Sequence, residues 1–408
     1  MNDIDLAKTV GVVGKANVGK STFFAAATLK PVDIAGFPFT TIKADKGVGY
    51  IRTPCVCKEL GVQDDPQNSI CINGIRLIPV DLIDTPGLIP GAHMGKGLGN
   101  QFLDEVRRAD ALIVVADSSG CTDINGQICD PMTHDPIEDI QMFENEFDLW
   151  LNALVKKDWD RITRTAQSLK EHIAKHLEEK LTGLGINRYQ ITEAVNEAGL
   201  SGFNSNSWTK EEFEKFITNL RKSSKPLIVA ANKADRDGSE INVERIREAG
   251  YIAVPTCAEA ELALRRAADA SLIEYTPGDS DFTINNPDKL TKGQLSALEM
   301  IRERVFNKYG GTGLQEVLNE AFFSLLNMIT VYPVEDAEKL TNHHGHVLPD
   351  CYLVPKGTNA KEFAGIIHTD LAEGFIHAID ARTKKRLGDT YILQNNDIIQ
   401  IVSAKSRR

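Results

Sequence analysis

The run Gly14-Lys15-Ala16-Asn17-Val18-Gly19-Lys20-Ser21 constrains this chain more than any other feature. It has the spacing GxxxxGK[ST] and lies between Lys8–Val13, which reads as a buried strand, and Lys20–Leu29, which reads as a helix. A glycine-rich loop in that position lets successive backbone N–H groups wrap a phosphate chain at the positive end of a helix. Gly14, Asn17, Val18 and Gly19 would form the cradle, and Lys20 would reach the β and γ phosphates. The Ser21 hydroxyl would ligate Mg²⁺. Such a loop needs a parallel α/β sheet around it. Arg76–Leu82, Ala111–Ala116, Pro226–Ala231 and Ile252–Pro255 read as its further strands.

Two later motifs stand in the order that a nucleotide site requires. Asp84-Thr85-Pro86-Gly87 closes an apolar run, which places the Asp84 carboxylate at a strand's C-terminal end. There it would hold Mg²⁺ through water, while the Gly87 N–H meets a γ-phosphate. Asn232-Lys233-Ala234-Asp235 follows the Pro226–Ala231 strand. Asp235 offers two acceptor oxygens to the N1–H and exocyclic amine of guanine, a donor pair that adenine lacks. Asn232 would brace the base and its neighbouring loop, and the Lys233 stem would cover the base's face.

Between the second and third strands after the loop, apolar residues recur at helical spacing. Ile137, Ile140, Phe143, Phe147, Leu151 and Leu154 form one stripe, and Ile162, Ala166, Leu169, Ile173, Leu177 and Leu181 form a second. Two long amphipathic helices packed as an antiparallel hairpin are expected, with shorter helices near Gln190–Ala198 and Lys210–Leu220. Further helices are expected at Ala258–Leu272, Lys292–Tyr309 and Gly313–Leu326. Ile329–Pro333, Leu348–Val354, Phe375–Asp380 and Ile398–Val402 then read as strands, with a helix at Lys361–Ile367. These limits give a first domain at 1–327, with a helical insertion at 133–225 and a helical connection at 276–327. A mixed α+β module of a size able to fold alone occupies 328–408.

At 408 residues two or three domains are expected. No run of 18 apolar residues occurs and the N-terminus (Met1-Asn2-Asp3-Ile4-Asp5) is acidic, which argues against a membrane span or a secretory leader. A cytoplasmic chain without a membrane partner is expected. The net charge of −11 excludes a generic polyanion binder, so any nucleic-acid surface must be local. The C-terminal module holds 10 basic and 10 acidic residues and is therefore neutral, with a basic cluster at Arg382, Lys384, Lys385 and Arg386 and another at Lys405–Arg408. These clusters read either as a solvated loop and tail or as contacts to RNA phosphates.

Seven cysteines, an odd number, fit reduced thiols better than a disulfide framework. Cys55, Cys57 and Cys71 could touch a metal, but a fourth ligand is not evident and free thiols are expected. His343, His344 and His346 with Cys351 read as a surface loop.

The ordered motifs resemble a translation-factor-class GTPase, and their details resemble the Obg-like superfamily in its YchF-type branch. Phe37–Ile42 is similar to that family's first switch, and Asp84–His93 followed by Gly95–Leu103 is similar to its second. Cys257-Ala258-Glu259 resembles its last guanine-contacting motif, with Cys257 for serine and Ala258 acting through its N–H. The C-terminal module resembles a ubiquitin-like TGS domain of β-grasp fold. The resemblance implies a P-loop G domain with a helical hairpin insertion, joined to that module. It also implies a Mg²⁺-dependent GTPase that works with ribosomes or RNA.

YchF-type proteins commonly carry an altered NKxD motif and favour ATP, so the intact Asn232–Asp235 motif points to GTP. Leu88 stands where Ras-like enzymes place a water-orienting glutamine, which implies slow intrinsic turnover. In potassium-activated relatives the residue matching Asn17 helps bind K⁺ between the phosphates; otherwise Asn17 shapes the loop. Thr41, with Thr40 as the alternative, is the candidate switch-one ligand to Mg²⁺. His93 is either a mobile group able to approach the γ-phosphate or a loop histidine. Two rival functions remain from the sequence: a YchF-like ATPase in stress or redox physiology, and a nucleotide-gated protein scaffold. The oligomeric state is not readable.

Overall fold

A computed structural model describes residues 8–29, 46–87, 90–94 and 105–404. Its central sheet is built on Thr9–Val13 (β1), where buried valines face helices on both sides, as parallel strands require. The other strands are Lys46–Pro54 (β2), Ile70–Ile72 (β3), Ile75–Asp84 (β4), Ala111–Asp117 (β5), Leu227–Asn232 (β6) and Ala253–Pro255 (β7). Their spatial order is β2-β4-β1-β5-β6-β7, with β3 pairing β4. β4, β1, β5, β6 and β7 run parallel, while β2 and β3 run antiparallel to β4.

The sequence reading lacked β2 and β3. β2 contains Gly47 and Gly49, which lower strand propensity and hide its pattern. Both glycines are set by packing. A Cβ at Gly47 would lie 2.5 Å from the Thr28 side chain, and one at Gly49 would lie 2.6 Å from that of Leu82.

The expected hairpin insertion is corrected to a cluster of five helices. Pro136–Lys156 forms as the first stripe predicts, started by Asp135, whose side chain accepts from the Ile137 N–H. The second stripe does not make one helix. Trp159–Leu169 ends at Lys170, which takes a left-handed conformation (φ 52°), and Ile173–Leu181 begins anew with His172 as its cap. The apolar period continues across the break and so conceals it. Leu169, at the end of the first piece, is 58 % exposed. Arg188–Glu197 and Lys210–Ser224 complete the cluster. Phe143, Phe147, Leu177, Ile191, Phe216 and Leu220 fill its core, each contributing roughly 1.5–3 kcal/mol by leaving water.

After β7 the helix Ala258–Asp269 precedes a small ladder of Ile273–Glu274 (β8) and Thr283–Ile284 (β9), inside a stretch expected to be loop. The C-terminal module adds Met328–Val334 (β10), Tyr352–Pro355 (β11), Phe375–Asp380 (β12), Arg386–Leu387 (β13) and Asp397–Ser403 (β14). Their order is β11-β10-β14-β12-β13, with β10 and β14 parallel and the other pairs antiparallel. The helix Ala360–Ile367 packs through Ala360 and Phe363 onto Ile329, Val331 and Ile399. The strand expected from Leu348 starts only at Tyr352. Leu348 and Cys351 instead join Tyr332, Val334 and Ile398 in one buried cluster with Ile51, Val56, Ile78 and Phe322 of the first domain. The module therefore shares a core with the α/β domain. No described helix is long and apolar enough to cross a membrane.

Candidate nucleotide site

The loop leaves β1 at Val13 and enters the helix Lys20–Thr28 through Gly19, whose φ of 92° suits glycine. A Cβ there would lie 2.3 Å from Asn232 Nδ2, and one at Gly14 would lie 2.7 Å from the Val115 carbonyl oxygen. Asn17, Gly19, Lys20, Ser21, Gly87, Lys233, Asp235 and Cys257 line one cavity of about 510 Å³. Gly14, Val18 and Ala258 stand buried behind that surface and shape it through their backbone.

At the phosphate end, Lys20 Nζ is paired with Asp84 Oδ1. The register that sets Val12 beside Asp84 brings that carboxylate to the loop. The Thr85 hydroxyl and N–H both donate to the Val12 carbonyl, at 2.9 and 3.2 Å, which fixes the turn leading to Gly87. A Cβ at Gly87 would lie 3.5 Å from the Ala16 nitrogen, so this turn crosses close to the loop. Ser21 is exposed on the cavity wall. Asn17 adopts φ 64°, and its Nδ2 donates to the Gly126 carbonyl at 2.8 Å, leaving Oδ1 as the atom a cation would meet. Thr40, Thr41 and Leu88 lie outside the described residues, as do Phe37–Ile42 and Gly95–Leu103.

At the base end, Asn232 clamps two loops. Its Nδ2 donates to the Val18 carbonyl at 2.8 Å, and its Oδ1 accepts from the Ala258 N–H at 3.0 Å. Ala258, assigned from sequence to the base, thus gives its N–H to Asn232 and positions the loop. Lys233 (φ 62°) donates to the Asn17 carbonyl at 2.9 Å and pairs with Asp117 at 2.7 Å, which draws its stem along the cavity. Asp235 is half-buried, and Oδ1 accepts from the Cys257 thiol at 3.1 Å. Burial, followed by the nearby Asp235 charge, pushes the Cys257 thiol well above its ordinary pKa, so it stays a donor.

Sequence reasoning missed three groups that hold this site. Asp117, at the end of β5, accepts from the Ser119 N–H and the Thr122 hydroxyl as well as from Lys233. Lys15 is buried and reaches Asp139 at 2.8 Å and the Thr122 carbonyl at 2.8 Å, which ties the phosphate loop to the helical insertion. Glu146, on the same insertion helix, accepts from the Gly91 and His93 N–H groups at 2.7 and 2.9 Å and meets His93 Nδ1 at 2.6 Å. His93 is therefore anchored in this state, where the sequence left open a mobile imidazole. Only Asp117 had a sequence signal, a carboxylate at the end of an apolar strand.

Burial opposes the Glu146 charge, but the His93 and Gly91 N–H groups outweigh it and hold the carboxyl below its usual range. A depressed carboxyl stabilises the fold above its ordinary titration range, and that contribution is lost as pH falls through the lowered value. Glu146→Gln should weaken this anchor by roughly 1.5–3 kcal/mol. Hydrogen exchange at the Gly91 and His93 amides should accelerate about 10–100-fold; unchanged exchange would show that Glu146 does not hold the segment.

The basic cluster is divided. Arg382 forms two bonds to Glu59 of the first domain, at 2.7 and 2.9 Å, and Lys384 pairs with Glu338 at 3.4 Å while donating to the Ala337 carbonyl. Lys385 and Arg386 are exposed, and Lys405–Arg408 lie outside the described residues.

Residues 9–146 match the family profile described as 50S ribosome-binding GTPase, and residues 338–403 match the TGS domain. Residues 230–336 match the Obg-like GTPase YGR210-like, G4 motif-containing domain. An uncharacterized GTP-binding protein of Methanocaldococcus jannaschii is 48 % identical over 397 residues, covering 97 % of this chain and 99 % of that one. The ribosome-binding ATPase YchF of Bacillus subtilis is 28 % identical over 428 residues, covering 97 % and 98 %. The crystal structure of a GTP-binding protein from Pyrococcus horikoshii superposes with a TM-score of 0.77 at 40 % identity, covering 97 % of this chain and 100 % of that one.

Proposed function

Since the chain belongs to the YchF-type Obg-like GTPases, a G domain followed by a TGS domain, we propose that it is a GTP-hydrolysing switch acting on ribosomes or RNA. The observation that carries the guanine reading is the half-buried Asp235 on the wall of the cavity that Lys20 also lines, held by the Cys257 thiol. Its carboxylate accepts both donors of the guanine edge, whereas adenine would set an acceptor nitrogen against it. The B. subtilis relative is named an ATPase, and that is the rival reading. Competition between GTP and ATP analogues for the full chain separates them. Tighter binding of the ATP analogue would overturn the guanine assignment.

Ser21, next to Lys20 in the chain, and Asp84, paired with Lys20, supply hard oxygen donors that fit Mg²⁺. That ion, bound with nucleotide, neutralises phosphate charge. Lys20 leaves Asp84 for the β and γ oxygens, and the loop N–H groups orient the chain for in-line attack. With Leu88 in place of a water-orienting glutamine, intrinsic turnover is slow. Hydrolysis frees the second switch, which includes the Gly91–Met94 turn held by Glu146, so the insertion helix senses the nucleotide state.

Ribosome or RNA contact is supported by the names of the matching profile and of the B. subtilis relative, and by the exposed Lys385 and Arg386. With Arg382 held by Glu59, and Lys384 by Glu338 and the Ala337 carbonyl, two phosphate contacts are expected rather than four. Replacing Lys385 and Arg386 with Ser should flatten the log–log salt dependence of RNA binding by about 1.4 units, at roughly 0.7 per contact on single strands. The full chain is the right reagent because the module shares its core with the first domain. An unaltered slope would move the contact elsewhere. Co-sedimentation with ribosomes in GTP against GDP tests the switch itself.

A further inference from the structure

Far along the chain from the phosphate loop, the fold gathers Cys55, Cys57, Asp64 and Cys71 so that one ligand atom from each lies within 4.8 Å of every other. Cys55 and Cys57 flank the start of the short helix Val56–Leu60, Cys71 sits in β3, and Asp64 belongs to the loop between them. Cys55, Cys57 and Asp64 are buried, and Cys71 is half-buried. The Cys57 and Cys71 sulfurs are 3.8 Å apart, and Cys55 Sγ is 3.2 Å from Asp64 Oδ2. Two thiolates sharing a tetrahedral ion at bonds of about 2.3 Å stand about 3.8 Å apart.

The surroundings fit a charged centre. Arg76 is fully buried, with Nη2 3.1 Å from Asp64 Oδ2 and 3.1 Å from the Leu348 carbonyl, and Nη1 3.0 Å from Ser69 Oγ. Three thiolates and a carboxylate around a dication carry a net charge of about minus two. A buried guanidinium that already bonds one ligand oxygen offsets half of that charge and orients the carboxylate, as outer partners do in metal centres.

We propose that Cys55, Cys57, Asp64 and Cys71 bind one tetrahedral metal ion, zinc by the chemistry of the donor set. On binding, the three thiols release their protons to solvent and Asp64 contributes its carboxylate. The ion closes both ends of the Asp64–Cys71 loop, and this loop carries the C-terminal module. The Asp65 N–H donates to the Val347 carbonyl at 2.8 Å and the Gln67 N–H to the Pro349 carbonyl at 2.6 Å. Asn68 bonds both the N–H and the carbonyl of Cys351, at 2.9 and 3.2 Å. The metal therefore rigidifies the seam between the two domains.

The test uses the full chain, reduced and stripped by a chelator, then titrated with Co²⁺ and with Zn²⁺. One equivalent of Co²⁺ should give the absorption of a tetrahedral thiolate site, and Zn²⁺ should displace it. Cys57→Ser and Cys71→Ser should each weaken binding by more than the roughly 10–100-fold that loss of an outer partner costs, while Cys129→Ser leaves it unchanged. Zinc should also slow hydrogen exchange at the Asp65, Gln67 and Cys351 amides. Reduced wild-type protein with no Co²⁺–thiolate absorption would overturn the proposal, as would absorption that survives both serine variants. A Cys57–Cys71 disulfide with no metal uptake after reduction would make the cluster a redox pair instead.

Discussion

Asp235→Asn moves the nucleotide preference of this chain from guanine to xanthine. In the proposed guanine site the wild-type carboxylate would accept two protons from the base edge, and each charge-assisted bond would contribute about 1.5–3 kcal/mol. Losing both lowers GTP affinity by roughly two to four decades. The direction of the swap follows from Cys257. Its buried, protonated thiol donates to Asp235 Oδ1 at 3.1 Å, and the oxygen of the Asn variant can accept that same bond. The amide nitrogen is then turned to the cavity, where it donates to the C2 carbonyl of xanthine. Binding of GTP and XTP analogues to both proteins checks this; a variant that still prefers GTP would show that Asp235 does not read the base.

Lys20→Ala should weaken nucleotide binding by at least about one to two decades. The loop otherwise presents neutral N–H groups to the phosphates, so the ammonium is its own positive charge at that end. Its removal costs roughly 1.5–3 kcal/mol, one to two decades of GTP affinity. The structure adds a second effect. Lys20 pairs with Asp84, so the variant leaves that partly exposed carboxylate without its cation, directly beside the γ-phosphate position. The like-charge repulsion adds to the lost attraction, and the defect should shrink at high salt. GTP affinity equal to wild type would refute the phosphate-loop assignment.

The motif order, the parallel α/β class and the C-terminal TGS module were legible because each is encoded locally, and phosphate-loop and NKAD residues singled out by sequence line one cavity. A strand–glycine loop–helix junction is written in eight consecutive residues, and the valines of β1 announce their burial by composition. Local signals failed where two features looked alike over a short window. The stripe from Ile162 to Leu181 kept helical period through a left-handed Lys170, and the glycines of β2 disguised a strand whose partner is β4.

What the sequence by itself determined is the chemistry offered to a nucleotide: an ammonium, a hydroxyl and two carboxylates at fixed places relative to strand ends. What only the tertiary structure decided is which groups hold those in place and which are taken out of service. Lys15 is bound to Asp139 across 124 positions, Asn232 bridges Val18 to Ala258, and Glu146 anchors the His93 turn from the insertion. Arg382 is committed to Glu59, 323 positions away, and Asp64 rather than its neighbour Asp65 completes the cysteine cluster. The reason is common to all of them. A buried polar group must find a partner, and sequence shows the need of each group but not the neighbour that folding brings within about 3 Å to meet it.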